Sequence, residues 1–299
     1  MSTNKQILSR IFQALLSEET RIKVEKIILN IALLSFFIHL IIIYLNKFNL
    51  IFIESNSPLL TNPIAAIYTP FSFILIYEVY LLIYYLPKSF TTYITKQYEI
   101  ITLIIIRKLF KDLSSLELSS NWFEIKDDLK FTYDIVASLI LFYLIFQFQK
   151  YGKQKLEEKI ELKPVIQSFV KKKKLIALFL VPLFFIMAFN TLIIWSSEIS
   201  NSPTHLPSQE SINTLFFDQF FTVLILVDVV LLLISFFYTD QFHKIMRNSG
   251  FIISTILIRM SFGVSGLINI VLIVVGVLFG LIIIIIHNKY ERDTLKDNV

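Results

Sequence analysis

Apolar runs long enough to cross a bilayer recur along this whole chain, and they constrain it more than any other feature. A helix needs about 20 apolar residues to span a hydrocarbon core of about 30 Å. Runs of this kind cover 27–45, 65–86, 93–111, 132–149, 175–195, 214–238, 243–262 and 266–287. The chain is 55% hydrophobic and 17% charged, with a mean hydropathy of +0.69, which excludes an ordinary soluble domain. The expected fold class is an all-α integral membrane protein with about eight transmembrane helices. The third and seventh runs are the weakest, and a six-span alternative would lay both in the interface plane. Between Phe251 and Ile286 the sequence is almost continuously apolar, too long for one span. Gly263 and Gly266 allow a tight reversal inside it, because glycine tolerates positive φ.

A motif occurs twice inside these runs. Ile101-Thr102-Leu103-Ile104-Ile105-Ile106-Arg107-Lys108-Leu109-Phe110 is echoed by Ile253-Ser254-Thr255-Ile256-Leu257-Ile258-Arg259-Met260-Ser261-Phe262. Upstream, Glu78-Val79 with Leu81-Leu82 is echoed by Asp228-Val229 with Leu231-Leu232. Phe36-Phe37-Ile38 is echoed by Phe184-Phe185-Ile186. This pattern predicts one four-helix unit used twice. An even number of spans per unit makes the repeat parallel, not inverted.

Charge sets the topology. With eight spans, one side of the membrane holds 21 Lys and Arg and the other holds Lys47, Lys111, Lys126 and Lys130. The positive-inside rule then places both termini in the cytoplasm. The six-span alternative would move Lys171 to Lys174 outside, which the rule disfavours. The domains expected are an amphipathic N-terminal helix at 1–26, a first transmembrane unit at 27–148 and a basic linker at 149–174. A second unit at 175–287 and a cytoplasmic tail at 288–299 complete the chain. Ile7, Leu8, Ile11, Phe12, Leu15 and Leu16 make an apolar stripe suited to the inner leaflet, with basic residues facing anionic lipids. A solvated elbow between domains explains such basic stretches equally well.

The repeated charges are the candidate site. Counting residues from each hairpin turn puts each Arg roughly 7–8 Å further out than its acid, at about 1.5 Å per residue. A long Arg side chain reaches that far. The expected pairs are Glu78 with Arg107 and Asp228 with Arg259, each within its own hairpin. Paired charges of this kind either line a polar path or lock a hairpin. Arg107 and Arg259 could instead snorkel to the outer headgroups. Secondary candidates are His39, a possible proton relay, Glu99, which has no acidic equivalent in the second unit, and Asn190, a possible interhelical donor. Asp134 and Asp218 sit near outer ends and are expected to be solvated.

Several classes are excluded or unsupported. There is no cysteine, hence no disulfide, thiol nucleophile or thiolate metal site. The four His are scattered, and no hydrolase or metalloprotease signature occurs. Six glycines leave no phosphate-cradling loop and argue against close small-xxx-small helix crossings. No enzyme activity, cofactor or metal is expected. The basic pI of about 9.1 is read as membrane topology, so no nucleic acid partner is expected. The expected partners are the lipid bilayer, anionic inner-leaflet lipids and either a second copy or another membrane subunit. The expected location is the plasma membrane, the cytoplasmic membrane of a prokaryote. The leading functional expectation is a channel or transporter that passes an ion or small solute along the repeated charges. The opposing one is a membrane-embedded sensor, effector or assembly subunit with no transport of its own.

Overall fold

The computed structural model describes residues 2–50, 63–113, 126–153, 164–201, 209–264 and 266–296. Parts of the loops at 46–63, 111–130 and 196–213, expected on the side opposite the termini, lie outside the described residues, as does part of the linker. The fold is all-α: α1 (Ser2–Leu16), α2 (Glu18–Lys47), a 3-10 turn (Pro63–Ile67), α3 (Tyr68–Tyr85), α4 (Phe90–Leu113), α5 (Lys126–Lys153), α6 (Pro164–Asn201), α7 (Gln209–Phe236), α8 (Phe242–Ser261) and α9 (Leu267–Lys296). Among the described residues, five helical segments are long and apolar enough to cross a membrane, in α2, α5, α6, α7 and α9. A shorter apolar segment, Thr69–Tyr85, lies in α3. The chain is a multi-pass membrane protein by helix length and hydropathy.

The remaining two helices, α4 and α8, are the weakest runs of the sequence. Both are helical throughout, and they pack against each other. Their polar side chains explain why: Gln97, Thr102, Asn248, Ser254, Thr255 and Ser261 are all buried. A helix that carries polar groups on a buried face is shielded from lipid by its more apolar neighbours.

Local signals set the boundaries. Ser17 caps α2, its Oγ accepting from the Thr20 N–H at 3.1 Å, and Glu18 and Glu19 follow in the first turn. Pro164 stands at the described start of α6, where a missing N–H costs nothing. Gly266 has φ 72, so the reversal between α8 and α9 falls on the glycine the sequence offers for it.

The helix contacts form a circuit. α3 packs on α4, α4 on α5, α5 on α9, α9 on α8, α8 on α7, α7 on α6, and α6 returns to α3. The α4–α8 contact crosses this circuit and divides it in two. One part is a bundle of α4, α5, α8 and α9. The other is a seam bounded by α3, α4, α8, α7 and α6. Each part draws helices from both halves of the chain. α2 packs on α3 and on the 3-10 turn, while many of its apolar side chains, Leu33, Leu34 and Phe37 among them, stay exposed on the surface that would meet lipid.

Candidate functional site

The bundle is closely packed. Tyr98 is fully buried, edge-on to Phe148 at 5.0 Å between ring centroids, and Phe148 meets Phe251 at 5.5 Å. Ser254 Oγ donates to the Gly276 carbonyl at 2.6 Å, so the Tyr98 hydroxyl donates to Ser254 Oγ. A Cβ at Gly280 would stand 1.9 Å from the Tyr98 hydroxyl, and one at Gly276 would stand 2.7 Å from Ile258. Gly276 and Gly280 are therefore a small-xxx-small pair that admits Tyr98 and brings α8 onto α9. The glycine count argued against such a crossing. Two glycines four residues apart suffice, because they share one helix face.

The seam is charged. Asp228 on α7 is 1% exposed, and its Oδ2 accepts from Gln97 Nε2 of α4 at 3.0 Å. Oδ1 is buried without a hydrogen bond among the described residues. The buried Tyr93 hydroxyl lies beside the same carboxylate without closing a hydrogen bond to it. Lys173 on α6 is 2% exposed and acts on Asp228 through its charge. Its ammonium donates to the Lys88 carbonyl at 2.7 Å and lies 4.6 Å from the Phe90 ring and 5.5 Å from the Phe169 ring.

Helix register explains this assembly. Gln97 lies seven residues into α4, about 10 Å from its start, and Asp228 lies eight residues before the end of α7, about 12 Å from it. The two residues thus reach one level from the same end. Arg259, seventeen residues into α8, lies about 26 Å along. The residues between α7 and α8 turn and add no rise, so the true offset between Asp228 and Arg259 is about 14 Å. The expected Asp228–Arg259 pair does not form. Arg259 donates to Thr222 Oγ1 of α7 at 3.4 Å.

The first copy of the motif behaves differently. Glu78 is 5% exposed on α3, beside Leu75, Val79 and Leu82. The charge of Arg107 acts on it, but among the described residues the two make no ion pair within 4.0 Å. The turn between α3 and α4 adds no rise either, which gives an offset of about 15 Å.

The secondary candidates divide. His39 Nδ1 hydrogen-bonds Thr69 Oγ1 and ties α2 to α3. Glu99 is bound by Lys96 at 2.6 Å and by Gln149 Nε2 at 2.7 Å, a bridge from α4 to α5. Asn190 is exposed on α6 and makes no interhelical bond among the described residues. Asp134 is not solvated. It is 1% exposed and pairs with Lys108 at 3.1 Å, while Lys130 and Asp112 pair at 3.5 Å between the same two helices. The Asp218 side chain lies outside the described residues. Among the described residues, no group of three or more His, Cys, Asp or Glu is placed to hold a metal.

The charge count puts Lys171 to Lys174 together on the expected cytoplasmic side. A run of four residues on an α-helix covers a full turn of 3.6 residues, so one of Lys171 to Lys174 must face inward. Lys173 continues the buried stripe of Ala177, Leu180, Val181 and Phe184, at spacings of four, seven, eight and eleven. That spacing was the available signal. No protein-family model, curated protein or solved structure matches the chain.

Proposed function

We propose that this chain is a non-enzymatic membrane protein that passes an ion or small solute along the seam between α3, α4, α6, α7 and α8. We read it as eight spans in two parallel four-helix units, with both termini in the cytoplasm of a prokaryote. The observation that carries the transport reading is Asp228, a fully buried carboxylate with one oxygen held by Gln97 and the other without a hydrogen bond among the described residues. A proton or a small cation is what such an oxygen would engage, and ionisable groups inside a membrane protein mark ion and proton paths by default. Lys173 would supply the counter-charge when the site is empty. Gln97 and Tyr93 come from the first half of the chain and Asp228 and Lys173 from the second, so a relative shift of the halves would change the site.

The test is flux through purified protein in liposomes across a panel of ions, with Asp228→Asn as the comparison. Flux in the natural protein and its loss in a folded Asp228→Asn variant supports the reading. Absence of flux for the whole panel, or flux unchanged by Asp228→Asn, overturns it. Lys173 favours a second reading, an assembly or sensor subunit. Its ammonium is held by a carbonyl and two rings, as in a structural anchor. A protein that conducts nothing but loses a co-purifying membrane subunit on Lys173→Met would establish that alternative. For orientation, a cysteine at Ser168 should resist impermeant reagents applied from outside. The chain has no native cysteine to confuse the result.

A further inference from the structure

A cavity of about 230 Å³ opens at the end of the bundle where α4 and α8 begin and α5 and α9 end. Ser89, Thr91, Thr92, Arg247, His287 and Asn288 line its polar side. Of its lining residues, Phe90 also belongs to the Asp228 site, where its ring meets the Lys173 ammonium. Arg247 gives it a positive charge. The guanidinium donates from Nε and Nη2 to Asn248 Oδ1 at 3.2 and 3.0 Å, and Nη1 lies 3.1 Å from His287 Nε2. Among the described residues no carboxylate lies within ion-pair distance of Arg247. The acid whose charge reaches it is Glu291, which stands 3.8 Å from His287 Nε2.

The polar part of the wall adds hydroxyls and amides, beside Phe90, Tyr151, Gly152 and Ile284. Ser89 caps α4, its Oγ accepting from the Thr92 N–H at 3.1 Å. The N–H groups of Phe90 and Thr91 precede any acceptor within the helix, so they point out of its start toward the cavity. Thr91 and Thr92 line the cavity there, the Thr92 hydroxyl sharing a hydrogen bond of 2.7 Å with Ser89 Oγ. Asn288 is fixed by its bond to the Tyr151 carbonyl at 2.9 Å. A water molecule occupies roughly 30 Å³ in the liquid, so the cavity holds a tetrahedral anion with several heavy atoms. The Arg247 charge, the threonine side chains and the first amides of α4 together suit an anion with several oxygens.

We infer that this cavity binds a phosphate group, supplied either by a phospholipid headgroup or by a soluble phosphate ester. Its place at the cytoplasmic level assigned by the Lys and Arg distribution gives access to both.

The experiment uses the full chain in neutral detergent. Its thermal midpoint is followed with inorganic phosphate against chloride at equal ionic strength. In parallel, retention of phosphatidic acid against phosphatidylcholine is followed by native mass spectrometry. A phosphate-dependent rise in the midpoint identifies a soluble ligand. Retention of phosphatidic acid without any effect of inorganic phosphate identifies a headgroup. In either case Arg247→Gln should weaken binding about tenfold or more, the usual effect of losing a charge-assisted bond. Arg247→Lys should recover only part of it. If Arg247→Gln does not fold, Thr91→Val carries the same test with a smaller loss. No response to either probe, or an equal response in folded Arg247→Gln, overturns the site.

Discussion

The bundle of α4, α5, α8 and α9 and the seam of α3, α4, α6, α7 and α8 share two helices yet use them in opposite ways. On one face of α4, Tyr98 meets Phe148, Ser254 and the gap left by Gly280, with each polar atom matched. On the other, Tyr93 and Gln97 face Asp228 and Lys173, with a hydroxyl and a carboxylate oxygen that make no hydrogen bond among the described residues. The bundle spends its polar groups on fixing one arrangement. The seam keeps groups that can exchange a proton, a water or a cation. A rigid bundle beside an incompletely satisfied seam is the arrangement expected of a site held in place by its scaffold.

The largest expected effect lies in the seam. Asp228→Asn removes the counter-charge of Lys173, and loss of one partner from a buried charge set typically costs about 3–5 kcal/mol. The fraction of protein that stays monodisperse in detergent should fall sharply. Adding Lys173→Gln should restore much of it, since no lone buried charge remains. If the double variant is no better than the single one, the two charges are not coupled and the seam is not a unit.

Next in size is the bundle. Gly280→Ala places a methyl group where the Tyr98 hydroxyl stands, and overpacking of this kind typically costs about 1–3 kcal/mol. Tyr98→Phe removes the obstructing oxygen and should rescue Gly280→Ala, although it costs the bond to Ser254 when made alone. Thermal midpoints of the four proteins measure this directly. Failure of the rescue would mean that Tyr98 of α4 does not seat against Gly280 of α9 as described.

How much of this was legible in the sequence differs between the two regions. The helices follow from the apolar runs, and the glycine reversal at Gly266 follows from residue type. The Gly276–Gly280 pair was legible in spacing but hidden by a low total count, since a crossing depends on two positions and not on composition. The seam was half legible. Asp228 and Glu78 stand out because an acid in an apolar run is costly. The residues around Asp228 do not, because Gln97 and Tyr93 are common residues from the other half of the chain. The repeated motif suggested pairing within each hairpin, but equal spacing along the sequence does not fix equal height when turn residues contribute no rise.

Glu78 sharpens the comparison. It carries the same motif as Asp228 and is almost as buried, yet no hydrogen bond holds it among the described residues. Glu78→Gln should therefore cost about 1 kcal/mol or less, since it breaks no such bond and Arg107 stands well along α4. Equal damage from Glu78→Gln and Asp228→Asn would restore the two-fold logic of the repeat.

Arg259 offers the smallest effect and the cleanest separation. It lies in the last turn of α8, where a cation interacts favourably with the helix dipole, worth about 0.3–1 kcal/mol. Its hydrogen bond to Thr222 Oγ1 is long, at 3.4 Å. Arg259→Gln should lower stability less than Asp228→Asn. The informative quantity is its coupling to Asp228. Residues without shared partners add within about 0.3–0.5 kcal/mol, whereas members of one network couple by about 0.5–3 kcal/mol. In denaturant titrations, Arg259→Gln combined with Asp228→Asn should give the sum of the single effects, while Gln97→Leu combined with Asp228→Asn should not. Additivity in the first pair and coupling in the second would place Asp228 in a network that spans the two halves of the chain. The reverse result would put the pair back inside one hairpin, and the seam would then be two separate structural clasps.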